Sequence, residues 1–150
     1  MALKKRIEAK LGEILINSGI IGEEQLRGAL DFQKREGGIL GEILVKLGYV
    51  NERDIVQALT EQYGFPYLPL EIYEINKEAV KVVPENVARQ YSFVPVDVIG
   101  DILTVAMSDP LNGKAIEDIE MITRKKVQVF ITTVTSVHET LKKLFKKGAS

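Results

Sequence analysis

Leu11-Gly12-Glu13-Ile14-Leu15 and Leu40-Gly41-Glu42-Ile43-Leu44 are the same five residues, written twice at a spacing of 29. The register continues through Gly19/Gly48, Ile21/Val50, Glu23/Glu52, Leu26/Ile55, Ala29/Ala58, Leu30/Leu59 and Gln33/Gln62. Of the 23 aligned pairs 10 are identical, too many for two unrelated amphipathic segments, so the first third of the chain is a tandem repeat. Two copies of a short unit can pack as pseudo-symmetric halves and build a two-lobed site for a two-lobed ligand.

Each copy reads as two short helices. Leu11, Ile14, Leu15 and Ser18 fall on one helical face. Gly19, and Gly48 after it, stands where a helix closes on a left-handed residue. Gly22 and Asn51 are N-cap types, and Glu23, Glu24, Glu52 and Asp54 put negative charge at positive helix ends. Leu26, Ala29, Leu30 and Gln33 continue at helical spacing, as do Ile55, Ala58, Leu59 and Gln62. Lys34-Arg35-Glu36-Gly37-Gly38 links the copies. The expectation is a four-helix unit over residues 1–62.

Gly12 and Gly41 cost helix stability, about 1 kcal/mol each relative to alanine. Either each lies at a helix start or under a close helix crossing, or something approaches the backbone where a Cβ is missing. Gln33 and Gln62 pose a similar choice. Each is a surface glutamine at a helix end, or the pair offers amide donors and acceptors to a ligand edge.

Beyond Gln62 the register is lost. Tyr63-Gly64-Phe65-Pro66-Tyr67-Leu68-Pro69-Leu70 is rich in breakers and reads as a linker whose aromatics pack it onto one subdomain. Asn76 suits the cap of a helix to Val82, and Pro84 the first turn of another to Tyr91. Phe93–Val98 alternates as a strand, with Pro95 marking an edge. Ile99-Gly100-Asp101 turns into a second strand, Leu103–Met107. Asp109–Asn112 is a loop. Ala115, Ile116, Ile119 and Ile122 form a helical stripe, and Val127–Ile131 is a third strand. Ser136 and Glu139 have capping-box spacing before Val137, Leu141, Leu144 and Phe145. The fold class expected is α+β: the helical pseudo-repeat, then a small α/β subdomain over 63–150 with an antiparallel sheet of about three strands.

Composition bounds the function. The 150 residues are 45% hydrophobic and 27% charged, with net charge −1, so no global field holds a nucleic-acid polymer. No apolar run reaches the roughly 18 residues of a transmembrane helix. The basic start Met1-Ala2-Leu3-Lys4-Lys5-Arg6 is followed by Glu8 and Lys10 rather than an apolar stretch, unlike a secretory signal, which leaves the cytoplasm as the expected location. With no cysteine there is no disulfide, thiolate metal site or thiol catalysis. Gly113-Lys114 is followed by Ala115, so the phosphate-loop motif is missing. His138 has no partner nearby in sequence that would make a metal site or a triad. Asp97, Asp101 and Asp109 read as turn formers. Arg124-Lys125-Lys126 and Lys142-Lys143-Lys146-Lys147 read as solvated helix ends, without interleaved aromatics for base stacking.

These residues together resemble the N-terminal domain of type II secretion and type IV pilus assembly ATPases, the GspE N-terminal family with its MshEN-type tandem cyclic di-GMP motif. Val83-Pro84-Glu85, Val94-Pro95-Val96 and Leu103 through Asn112 look like the family's α/β part. Lys10–Gln33 and Ile39–Gln62 look like its two 24-residue motif copies, with Lys34–Gly38 as the five-residue spacer. The chain departs from that motif where an arginine opens each copy. Lys10 keeps the charge without the planar fork, and Ile39 keeps neither.

The resemblance implies a non-catalytic regulatory or assembly domain, since the family's ATPase core is absent from these residues. It implies cyclic di-GMP as ligand, with no metal and no cofactor. The implied contacts are Lys10, Leu11, Gly12, Leu15, Leu26, Leu30 and Gln33 in the first copy, and Leu40, Gly41, Leu44, Ile55, Leu59 and Gln62 in the second. It also implies an ATPase core and an inner-membrane platform protein as partners, placing the domain in the cytoplasm, peripheral to that membrane. Apolar positions such as Ile14/Ile43 and Ile20/Tyr49 would be partly open to a partner. The alternative is a pure protein–protein adaptor that has lost the nucleotide.

Overall fold

The structure, a computed structural model, describes residues 11–38 and 40–145. Lys10, Ile39, Lys146 and Lys147 lie outside the described residues. The chain divides into two compact units, residues 1–64 and 65–150.

The first unit is helical, as the repeat predicts, and none of its described residues lies in a strand. Residues 11–17 form α1, Glu23–Glu36 α2, Leu40–Lys46 α3 and Glu52–Tyr63 α4. α1 and α3 end in the same backbone motif. Gly19 has φ 75° and Gly48 φ 79°. The Gly19 N–H donates to Ile16 O at 2.9 Å and the Ile20 N–H to Leu15 O at 3.0 Å. One repeat later, Gly48 donates to Val45 at 3.0 Å and Tyr49 to Leu44 at 3.0 Å. This Schellman closure satisfies helix-end carbonyls, and its left-handed residue is easiest for glycine. Ser18 belongs to that exposed closing turn rather than to the apolar face.

The second helix of each copy starts from the matching residue. Asn51 accepts from the Asp54 N–H at 2.8 Å, and its own N–H donates to Asp54 Oδ2 at 3.1 Å, a complete reciprocal cap. At Gly22 only half of this exists, the Gly22 N–H donating to Gln25 Oε1 at 2.9 Å. Leu11/Leu40, Ile14/Ile43, Leu15/Leu44, Ile21/Val50 and Ala29/Ala58 are all buried, so the core repeats in register. Ile14 and Ile43 therefore belong to the interior and are not open to a partner, whereas Ile20 and Tyr49 are half-buried.

The second unit is built on a three-stranded sheet in the order β1-β2-β3. β1 is Phe93–Ile99, β2 Ile102–Met107 and β3 Lys126–Ile131. β1 and β2 form an antiparallel hairpin around Gly100 and Asp101. β3 pairs with β2 in parallel, which corrects the expectation of an antiparallel sheet. The cause is α7, Gly113–Thr123, which carries the chain back across the sheet as a crossover before β3 begins.

β1 is an edge strand, as Pro95 predicts, and its register shifts between Pro95 and Asp97. Its first four residues are all buried rather than alternating, because helices pack against it. These are α5 (Lys77–Lys81, capped by Asn76), α6 (Glu85–Gln90, entered through Pro84) and α8 (Val134–Leu144). The cap of α8 is Thr133, which accepts from the Ser136 N–H at 3.1 Å, and not Ser136 itself. Ser136 Oγ instead donates to Glu71 Oε1 at 2.7 Å.

The boundary between the two units falls within the breaker-rich stretch. Tyr63 ends α4, while Pro66–Leu68 runs beside β3. The Ile131 N–H donates to Pro66 O at 2.8 Å and the Leu68 N–H to Ile131 O at 2.9 Å. Leu68 and Leu70, not the aromatics, enter the core; Tyr63 and Tyr67 stay exposed. Phe93, Val94, Val96, Leu103, Val105 and Met107 meet Ala79, Ala88, Ala115, Ile119, Val137 and Leu141 there. Ile122 sits at the end of the α7 stripe and is largely open to solvent.

Candidate functional site

In the helical unit the residues expected to meet a ligand separate by depth. Leu11, Leu15, Leu40, Leu44 and Leu59 are buried in the unit's own core. Leu26, Ile55 and Gln33 are half-buried, and Leu30 and Gln62 are exposed. Lys10 and Ile39 lie outside the described residues. The side chains that reach the surface are thus Leu26, Leu30, Gln33, Ile55 and Gln62, backed by a packed leucine layer.

The two recurrent glycines sit at helix crossings. A Cβ on Gly12 would meet the methyl groups of Leu26, and one on Gly41 would meet Ile55 Cδ1 at 3.4 Å and Leu11 Cδ2 at 3.6 Å. Leu26 and Ile55 are themselves repeat partners, so each copy makes the same glycine-to-aliphatic contact between its two helices. At Gly12 the missing Cβ is therefore used by this chain's own Leu26, whereas at Gly41 a Cβ would meet its neighbours at ordinary contact distance. Leu11 against Gly41 joins copy to copy.

Gln33 lies in the last turn of α2. Its Nε2 donates to Gly38 O at 3.0 Å, tying the helix end to the spacer, while its backbone carbonyl accepts from the Gly37 N–H at 2.8 Å. The amide thus helps fix the path between the copies. The copies also diverge in exposure: Leu30 is 37% exposed and its partner Leu59 only 3%.

One pair escaped the repeat argument because it has no counterpart. Lys46 Nζ stands 5.4 Å from the centroid of the Phe32 ring, a cation–π contact between α3 and α2. The matching positions are Asn17 and Glu61, so register alone carried no signal of it.

In the α/β unit several polar groups hold the fold together. Asp97 accepts from Asn76 Nδ2 at 3.1 Å and from the Val98 N–H at 2.9 Å. Asn112 caps α7 through the Ala115 N–H at 3.1 Å. The Tyr91 hydroxyl donates to the Asp118 carboxylate, which also lies 3.7 Å from Lys114 Nζ. That hydrogen bond, then burial, then the carboxylate's charge hold the Tyr91 phenol above its ordinary value. A cavity of about 290 Å³ opens between the Leu70–Ile75 stretch and α8, with Leu70, Ile75 and Leu144 as apolar lining and the Ser136–Glu71 bond on its wall. His138 is exposed on α8. Among the described residues no group of three or more His, Cys, Asp or Glu could hold a metal ion, and no helix is long and apolar enough to cross a membrane.

Residues 63–150 match the family model of the MshEN domain. A type IV pilus assembly ATPase, PilB of Myxococcus xanthus, is 32% identical over 145 residues, which cover 96% of this chain and 26% of that protein. The chain thus spans about a quarter of that relative's length, and the ATPase core is not in it. Among solved structures, that of MshE with cdg (cyclic di-GMP) superposes with a TM-score of 0.76 at 29% identity, over 90% of this chain and 98% of that one. The N-terminal domain of XpsE shares the fold, with a TM-score of 0.75 at 19% identity over 91% of this chain and 94% of that one.

Proposed function

This chain belongs to the MshEN domain family, and on that premise we propose that it is a non-catalytic regulatory and assembly domain of a type IV pilus or type II secretion motor whose helical repeat reads cyclic di-GMP. The observation that supports this most is the repeat itself. One backbone closure, one glycine crossing and one terminal glutamine recur 29 residues apart, in a chain similar to a protein solved with that ligand. A cyclic dinucleotide has two equivalent halves, and two helical copies in one register offer each half a similar backbone frame. In this reading Leu26, Leu30 and Ile55 face the purines and sugars. Gln33 and Gln62 offer amides, and Lys10 offers charge. The buried Leu11, Leu15, Leu40, Leu44 and Leu59, with Gly12 and Gly41, hold the two halves in register. The α/β unit joins the module to an ATPase core and to a platform protein at the cytoplasmic face of the inner membrane.

One observation favours the second reading, an adaptor without nucleotide. The space beside Gly12 is filled from within by Leu26, so that glycine is explained by packing alone. Calorimetry with cyclic di-GMP separates the two. A dissociation constant at or below roughly low-micromolar, abolished by Gln33→Ala with Gln62→Ala, supports the ligand site. No heat at about 100 μM, with binding restored by Ile39→Arg, means that this copy kept the scaffold and lost the ligand.

A further inference from the structure

The hairpin end of the α/β unit exposes a group of aliphatic side chains that the core does not use. Ile99 is 73% exposed, and Ile102, its direct cross-strand partner, 47%. In the last turn of α7, Met121 is 75% exposed and Ile122 47%. The two pairs stand at one end of the unit. Lys125 Nζ donates to Gly100 O at 3.1 Å, and the Lys126 N–H donates to Asp101 O at 2.7 Å. Single exposed aliphatics are ordinary; several at one tip mark an interaction surface.

Charge says what kind of surface it meets. Arg124-Lys125-Lys126 runs through the turn beside this tip, with Asp101 as the acid within the hairpin turn. Glu120 is engaged with the Val127 N–H at 2.9 Å, and Glu117 lies one helical turn further back. Arg124 closes α7 at φ 59°, a left-handed position that glycine fills more easily, so a cation is held there against backbone strain. Side chains this exposed belong to a protruding tip rather than a groove. A rigid partner would need a matching hollow, whereas a fluid interface closes around a tip of any shape.

We propose that this tip docks on an anionic lipid bilayer. Ile99, Ile102, Met121 and Ile122 enter the boundary between headgroups and acyl chains, while Arg124 and Lys126 meet lipid phosphates. The contact is peripheral and salt-sensitive, since its cations are exposed.

The test is co-sedimentation of the 150-residue chain with vesicles of phosphatidylglycerol in phosphatidylcholine, against pure phosphatidylcholine. The expected result is partition onto the anionic vesicles that falls as salt is added. Ile99→Asn with Met121→Gln, and separately Arg124→Gly with Lys126→Gln, each weaken it about tenfold or more. Circular dichroism stays unchanged, because all four side chains are exposed. The chain has no tryptophan, so Ile99→Trp adds a single reporter whose emission shifts to the blue on insertion. Equal partition onto both vesicle types, no partition, binding that survives both double variants, or an unshifted reporter overturns the proposal. Capture of an acidic protein by the tip without vesicle binding overturns it too. None of these readouts depends on cyclic di-GMP.

Discussion

Gly12 sits against Leu26 with no room for a methyl group: a Cβ there would stand 2.9 Å from one δ-methyl and 3.0 Å from the other. One repeat later the closest atom to a Cβ on Gly41 is Ile55 Cδ1 at 3.4 Å, an ordinary contact. Gly41→Ala is therefore expected to stabilise the fold by about 0.4–1 kcal/mol, through the entropy of the unfolded chain. Gly12→Ala forces Leu26 out of its place and is expected to give a net loss of about 1 kcal/mol. Urea unfolding of the two variants checks the ordering, with unchanged slopes confirming that only stability moved.

Gly19 and Gly48 test a different physics. Nothing lies within 4 Å of a Cβ on either, so only the backbone objects to a side chain. With φ near 75° at both, Gly19→Ala and Gly48→Ala should each cost about 1–2 kcal/mol. The two losses should be similar, since both closures are made by the same pair of backbone bonds from the glycine and the residue after it. Equal shifts in thermal midpoint support this; a loss at one position alone contradicts it.

The caps predict an asymmetry between the copies. Asn51→Ala removes the side-chain acceptor of a complete reciprocal cap and should cost about 1 kcal/mol. Gly22→Asn supplies the acceptor that the first copy lacks and should gain a few tenths of a kcal/mol, roughly. Chemical denaturation of both variants reads the sign directly.

Tyr91 makes alkaline stability depend on one bond. Its hydroxyl donates to Asp118, and its pKa is raised above 10.0 in the folded chain. A raised folded value means that the native state holds the proton more tightly. The stabilisation is complete below about pH 10 and is lost as the pH climbs through the folded value. The wild type should therefore lose stability relative to Tyr91→Phe in that window, and the two curves should run parallel at neutral pH. Ultraviolet titration should also show a late-ionising phenol, and that late step should vanish in the variant.

How much of this the sequence disclosed follows from what is local. The closures at Gly19 and Gly48 and the caps at Gly22, Asn51 and Asn76 depend on a few neighbouring residues, and they stand where the pattern places them; Asn112, read only as part of a loop, turns out to cap α7. Strand direction depends on where α7 takes the chain, which no strand periodicity encodes. The expectation of an antiparallel sheet failed at β3 for that reason. Ser136 illustrates a second limit. Its spacing to Glu139 imitates a capping box, but Thr133 lies three residues earlier and claims the helix end, leaving Ser136 to Glu71. In the repeat, alignment located Gly12 and Gly41 but could not say what fills the space beside them. Only coordinates distinguish a neighbouring leucine from a ligand. Lys46 and Phe32 were silent because an argument from repetition sees what recurs and not what differs.

Pro66 and Leu68 clasp Ile131 from the far side of the sequence, and that clasp sets an order of events during synthesis. The helical unit is made of neighbouring segments that can associate as they leave the ribosome. The α/β unit cannot close until Ile131 has emerged, so Leu68 and Leu70 wait uncovered while some sixty residues are translated, on the order of several seconds at the usual rates. Chaperone occupancy on stalled nascent chains should accordingly concentrate on lengths that include Leu70 but stop short of Ile131.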